Sequence, residues 1–148
     1  MKAYDSSIIR NVAVLSHDGA GKTALVESML LASEAVDHVG VGKDNTHIMD
    51  FEPEEIDRNV TIQMGIAPVE WEGYKLNFLD TPGYSEFCGE VHQSLRAADG
   101  MLIVTADDTG IEVDTFRAWQ YGLDLDLPRM IFINKMDKMG ADFLYSVG

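Results

Sequence analysis

The sequence predicts an α/β domain: a mostly parallel sheet with helices on both faces. Three observations carry that prediction. Short, uninterrupted apolar runs rich in Val, Ile and Leu alternate with stretches of helical period, as buried parallel strands and their crossovers require. The apolar runs lead into clusters of Gly, Asp, Thr, Lys or Asn, and open parallel sheets bind ligands at the carboxyl ends of their strands. With 148 residues, 46% of them hydrophobic, the chain has the size of one domain and can bury a sizeable core.

The elements follow in order. Asn11 to Leu15 is a Val-rich run and reads as a buried strand. It leads into a Gly-rich turn, His17-Asp18-Gly19-Ala20-Gly21. Lys22 to Ser33 is helical, with Leu25, Val26, Met29 and Leu30 at helical spacing. Ala35 to Asn59 shows no steady period, so the sequence predicts a functional or mobile loop over about 35–60. Within it, Asp50, Glu52, Glu54, Glu55 and Asp57 form an acidic run that reads as a solvated, mobile segment. Thr61 to Trp71 and Tyr74 to Leu79 are strand-like. Glu72-Gly73 between them is a hairpin turn, which adds one antiparallel strand at an edge.

Glu86 to Ala97 is helical, with Val91, Leu95 and Ala98 on one face, and Met101 to Thr105 is a continuous apolar strand. Asp114 to Gly122 is helical, and Asp114 suits a first turn, where the helix dipole favours an anion. Arg129 to Ile133, introduced by Pro128, reads as a further buried strand.

Composition excludes several classes. Eleven Lys and Arg against 25 Asp and Glu give 11 − 25 = −14, so bulk electrostatics cannot hold nucleic acid. The plain alternative is that acidity keeps the chain soluble. No apolar run approaches the roughly 18 residues of a membrane span, and Met1 to Arg10 lacks the features of a signal peptide. The single Cys88 can form no internal disulfide, and its place on a helix suggests a core or semi-buried residue. A cytoplasmic location is the default expectation. His38, His47 and His92 show no ligand spacing and read as surface or loop residues. Asp107-Asp108 reads as a turn, and the eight Met residues as fillers of core gaps.

The clusters at the strand ends carry the chemistry. Ser16 to Thr23 reads S-H-D-G-A-G-K-T. A phosphate-binding loop needs a tight turn whose N–H groups converge on oxygens, a helix N-terminus behind it, and a Lys that reaches the outer phosphates. Gly19, Gly21, Lys22 and Thr23 meet these needs, with the Thr23 hydroxyl available to Mg²⁺. The usual pattern opens with Gly where Ser16 stands. An ordinary Gly-rich strand-to-helix turn is the alternative.

Asp80-Thr81-Pro82-Gly83 follows the next strand. Its carboxylate can hold Mg²⁺ through water, and the Gly83 N–H can sense a terminal phosphate; alone, it is also a common turn. Asn134-Lys135-Met136-Asp137 follows the last strand. A carboxylate accepts both N1–H and N2–H of guanine, a pair of donors adenine lacks, so this cluster favours GTP over ATP. Asn134 and Lys135 would brace the loop and cover the base. Thr61, at the end of the long loop, could bind Mg²⁺ only while the terminal phosphate is present, or could simply begin a strand.

Taken in order, these motifs resemble the GTP-binding domain of translational GTPases, most closely the elongation factor G family. The resemblance spans about Ile9 to Phe143. It includes D-F-E-P-E-E-I-D-R-N-V-T-I (Asp50 to Ile62) and N-K-M-D-K-M-G-A-D-F (Asn134 to Phe143), which ordinary small GTPases lack. It implies the P-loop NTPase fold of a translation-factor G domain, cut before its last strand and helix. It assigns Asp18, Gly19, Ala20, Gly21, Lys22 and Thr23 to phosphates, and Thr23, Thr61 and Asp80 to Mg²⁺. It assigns Asp80 and Gly83 to the switch, and Asn134, Lys135 and Asp137 to guanine. Lys22, Thr61, Gly83 and Tyr84 would serve hydrolysis.

Two departures mark a subgroup. Gly19 stands where the family has Asp, and Tyr84 stands where the family has a His that places the attacking water. With the P-E-E-I run, the pair resembles the elongation factor G-like paralogues; ribosomal protection proteins come next. The family's Ser-Ala guanine motif is absent, so the chain reads as an N-terminal fragment of a protein of several domains. The missing outer neighbour would leave the Arg129 to Ile133 strand as a bare apolar edge.

The resemblance thus implies GTP hydrolysis in a ribosome-linked cycle, with GTP or GDP and Mg²⁺ bound and the ribosome as partner of the full-length protein. No membrane or direct nucleic-acid partner is expected for this acidic chain. A GTP-dependent binding switch with little hydrolysis is the rival reading.

Overall fold

Residues 3–40, 47–107 and 110–144 are described by the structure, a computed structural model. The chain runs β1 (Ile9–Leu15), α1 (Lys22–Ala32), α2 (Pro53–Arg58), β2 (Gly65–Trp71), β3 (Tyr74–Asp80), α3 (Cys88–Ala97), β4 (Gly100–Ala106), α4 (Val113–Asp124) and β5 (Arg129–Asn134). The strands form one sheet in the order β2-β3-β1-β4-β5. β1 pairs parallel with β3 and with β4, and β4 pairs parallel with β5. β2 is antiparallel to β3 at one edge, joined by the Glu72-Gly73 turn.

Alternation along the strands sorts the core into two layers. Val14, Phe78, Leu102 and Val104 share one face with Ala67 and Val69, and α1 covers them with Val26 and Leu30. Ala13, Leu15, Met101 and Ile103 point the other way, under Leu95 of α3 and Ala118 of α4. The sheet is thus covered on both faces, as the apolar runs require. β1, β3, β4 and β5 all point their carboxyl ends the same way, so Ser16, Asp80, Ala106 and Asn134 gather along one rim.

Several expectations need correction. β2 starts at Gly65, not Thr61. The Ile62 and Gln63 amides donate to Glu55 Oε1, and the Met64 amide donates to Glu90 Oε2, so these amides are taken before any ladder forms. The acidic run is not a solvated stretch. It contains α2, with Pro53 at its start and Glu55 Oε2 accepting from the Glu52 amide, a contact of capping-box type. Glu55 is 1% exposed and Asp50 is also buried.

The helix expected from Glu86 begins with a 3₁₀ turn, Ser85–Phe87, and becomes α-helical only at Cys88. Cys88 is exposed rather than semi-buried, because it lies in the first turn of α3, ahead of the buried Ser94 and Leu95. Asp107 sits in a turn after β4, while Asp108 and residues 41–46 of the long loop lie outside the described residues.

β5 is not a buried strand. Met130, Ile131 and Phe132 are 67%, 54% and 38% exposed. Among the described residues nothing pairs with its outer edge, and α4 lies over only one face. The apolar edge expected there is present.

Candidate functional site

The loop between β1 and α1 turns because two glycines adopt left-handed backbone, Gly19 at φ 72° and Gly21 at φ 92°. At Gly21 space is decisive too: a Cβ there would collide with the Asn134 amide nitrogen. That nitrogen donates to the Ala20 carbonyl at 2.8 Å, so the end of β5 is fastened directly to the phosphate loop.

Lys22 opens α1 and is buried. Its Nζ donates to the His17 carbonyl at 3.0 Å, which folds the side chain back over the loop. Burial pushes its pKa down, and the nearby Asp80 and Asp18 carboxylates work against that shift. His17, also buried, ties the loop to α4. Its Nδ1 lies 3.2 Å from Thr115 Oγ1 and its Nε2 3.7 Å from Glu112 Oε1. Burial lowers its pKa, against the pull of Glu112, and favours the neutral ring.

Two hydroxyls and a carboxylate meet beside Lys22. Thr23 Oγ1 lies 3.0 Å from Thr61 Oγ1, and Thr61 Oγ1 donates to Asp50 Oδ1 at 2.9 Å. Asp80, at the end of β3, is 0% exposed, and neither carboxylate oxygen makes a hydrogen bond of acceptable geometry. Burial raises its pKa to about 6, offset only in part by the nearby Thr23 hydroxyl and the Lys22 charge.

A buried carboxylate without a partner is costly unless something positive completes it. Hard oxygen donors on Thr23, Thr61 and Asp80 suit Mg²⁺, which retains waters and takes few protein ligands.

The loop after β3 closes over this group. Thr81 Oγ1 donates to the Val14 carbonyl at 2.6 Å, which anchors the loop to β1. Gly83 then passes so close to the phosphate loop that a Cβ on it would lie 2.7 Å from Asp18 N, Asp18 Cα and Lys22 Nζ. Tyr84 is exposed beside it, and the nearby Asp18 carboxylate is the main cause raising its phenol pKa above the ordinary value. These loops line a cleft of about 300 Å³ that reaches Asp18, Lys22, Asp50, Thr61 and Gly83.

The structure therefore brings together Asp18 to Thr23, Thr61, Asp80, Gly83 and Asn134. Lys135 and Asp137 follow Asn134 in an exposed turn, with Lys135 at φ 61° and Lys138 N donating to the Lys135 carbonyl. Asp137 is exposed at the rim rather than in the cleft.

Sequence reasoning missed Asp50, Glu27, His17 and His47. Glu27, buried on α1, accepts from the Gly40 and Met49 amides and lies 3.1 Å from His47 Nδ1, so it ties the middle of the long loop to α1. His47 is a loop residue, as expected, and also part of the site wall, because its ring nitrogen meets the buried Glu27 carboxylate. Only Asp50 carried a signal, as the acid that heads the acidic run, eleven residues before Thr61.

Comparison with known proteins follows the same lines. Residues 7–147 match the profile of the elongation factor Tu GTP binding domain. A crystal structure of a Thermus thermophilus protein superposes with a TM-score of 0.90 at 37% identity, covering 96% of this chain and 21% of that one. A bacterial selenocysteine-specific elongation factor superposes with a TM-score of 0.72 at 21% identity, over 92% of this chain and 21% of that one, and shows the shared fold. The chain thus spans about a fifth of the length of these solved structures. Among the described residues no helix is long and apolar enough to cross a membrane.

Proposed function

The chain belongs to the elongation factor Tu GTP binding domain family of translation GTPases, and on that premise we propose that it is the GTP- and Mg²⁺-binding domain of an elongation factor G-like GTPase. Such a protein hydrolyses GTP to GDP and phosphate in a cytoplasmic, ribosome-linked cycle. The observation that carries this reading is Asp80, a fully buried carboxylate with no hydrogen-bond partner beside Lys22 and the paired Thr23 and Thr61 hydroxyls.

The residues divide the work as follows. Backbone N–H groups from Gly19 to Thr23, at the start of α1, cradle the phosphates. Lys22 exchanges its His17 carbonyl for phosphate oxygens, which brings a buried cation into direct contact with an anion. Asn134 holds the loop in shape through the Ala20 carbonyl. Thr23, Thr61 and Asp80 hold Mg²⁺, which when bound supplies positive charge against the phosphate oxygens. In this reading Gly83 offers its N–H to the terminal phosphate, and Asp137 reads guanine. Positioning and electrostatics supply most of the catalysis in phosphoryl transfer.

Tyr84 favours a second reading, a GTP-dependent switch with slow hydrolysis. Its phenol pKa lies above the ordinary value near 10, so it cannot act as a base at neutral pH. Competition of GTP and ATP for the chain, with and without Mg²⁺, tests the binding reading. Single-turnover hydrolysis with ribosomes, using a version of the protein that carries its further domains, separates enzyme from switch.

A further inference from the structure

We propose that Glu27 is a positioning residue for the Mg²⁺-linked state of the site: its carboxylate pins the long loop at Met49, and that pin sets Asp50 where it orients the Thr61 hydroxyl. The proposal rests on the reading of Thr61 as a ligand that answers to the terminal phosphate. It gives a role to a buried acid that belongs to none of the sequence motifs.

The contacts form a closed ring. Thr23 and Glu27 lie four residues apart on α1, so they share one face of the helix, about one turn from each other. Each holds the long loop at a different point. Thr23 Oγ1 meets Thr61 Oγ1 at 3.0 Å, and Glu27 Oε1 accepts from the Met49 amide at 3.1 Å. The ring closes through Asp50, the neighbour of Met49, whose Oδ1 accepts from Thr61 Oγ1 at 2.9 Å. The other Glu27 oxygen accepts from the Gly40 amide and faces His47 Nδ1, both at 3.1 Å.

Burial makes the pin strong. A carboxylate as buried as Glu27 must be satisfied by donors that stay with it. The loop supplies three of them, so displacing the loop uncovers a charge in the interior. Met49 is held from its other side as well. Its side chain lies in the core layer with Val26 and Leu30, and a Cβ on Gly65 would come within 2.6 Å of its Cε. With amide and side chain both fixed, Met49 leaves Asp50 little freedom to turn out of the cleft that it lines.

Glu27 itself does not line the cleft, so it acts through Asp50 and Thr61. A ligand carried on a loose loop costs ordering entropy each time it engages. With Met49 already fixed, only the stretch that leads to Thr61 remains to be ordered. A nucleotide that needs Thr61 therefore binds more tightly than it would to an unpinned loop, and one that makes no use of Thr61 gains nothing.

Two measurements test this. The first is amide hydrogen exchange and needs no nucleotide. Glu27→Gln removes the charge and turns one acceptor into a donor. Exchange at Met49 should quicken by about tenfold or more, while amides of β1 and β4 stay within about threefold. His47→Ala takes one donor away from the loop side and leaves Glu27 in place, so it carries the same test should Glu27→Gln fail to fold. It should quicken Met49 by about threefold, the scale of one ordinary hydrogen bond. His47→Asn, whose side-chain nitrogen takes a position similar to Nδ1, should restore protection. Unmoved exchange at Met49, or an equal loss across the sheet, would overturn the proposal.

The second is titration with GDP and with a non-hydrolysable GTP analogue, both with Mg²⁺. Glu27→Gln should weaken the GTP analogue by about tenfold and leave GDP within about threefold. His47→Ala should shift the same preference in the same direction by less, and His47→Asn should recover it. The double variant Glu27→Gln, Thr61→Ala should bind the analogue no more weakly than Thr61→Ala alone, since both changes act through Thr61. Equal losses for the two nucleotides, or losses that multiply in the double variant, would overturn the proposal. A parent chain that binds no GTP would sink the GTPase reading, while hydrogen exchange would still decide whether the pin exists.

Discussion

The Thr23 hydroxyl lies 3.0 Å from the Thr61 hydroxyl, which joins the first turn of α1 to the residue that ends the long loop. Thr61 also gives its proton to Asp50, so its oxygen faces Thr23 as an acceptor. An oxygen in that state can exchange one partner for a cation without moving far. The loop is thereby coupled to whatever sits beside Thr23.

Thr61→Ala should therefore separate two nucleotides. Affinity for GTP with Mg²⁺ should fall about tenfold or more, the scale of a lost ligand or its outer partner. GDP affinity should change little if, as proposed, the coupling depends on the terminal phosphate. Titration with fluorescent GTP and GDP analogues measures both, and equal losses would remove Thr61 from the switch.

Asp80 should make stability depend on pH. Its folded pKa, about 6, lies above its ordinary value of 3.8. The folded state thus holds the proton more tightly, and stability falls as pH rises from about 4 to about 6. A shift of about two units corresponds to at most about 3 kcal/mol. In Asp80→Asn this part of the pH dependence should vanish. Urea titrations of the nucleotide-free, Mg²⁺-free chain at several pH values check it; an unchanged profile in the variant would mean Asp80 ionises normally.

The β5 edge should promote association. Met130, Ile131 and Phe132 expose apolar surface along a strand with no outer partner among the described residues. Exposed apolar edges invite pairing with a second chain. Light scattering should show concentration-dependent self-association, and Ile131→Lys should reduce it. A parent chain that stays monomeric at high concentration would contradict this.

Much of this was legible in the sequence because period and strand-end chemistry are local. The apolar runs gave the parallel strands, and the Gly-rich turn, Asp80 and Asn134 marked where they end. Tertiary contacts were not legible. Glu55 reads as one solvated acid among five, yet it is buried because three amides bind its carboxylate. Glu27 looks like an ordinary helix residue until the long loop folds back onto it. β2 starts late for the same reason, since side chains from α2 and α3 take the amides that a strand would use.

The central claim is that this cleft reads guanine through Asp137, a residue on a turn that Asn134 anchors to the phosphate loop. The most direct measurement is nucleotide preference in Asp137→Asn. The parent should prefer GTP over both ATP and xanthosine triphosphate. The variant should bind GTP more weakly by about tenfold or more, the cost of a mispaired bidentate contact, and should gain affinity for xanthosine triphosphate, because an amide donates where the carboxylate accepted. A variant that keeps the parent's GTP preference, or a parent that binds ATP as well as GTP, would contradict the account.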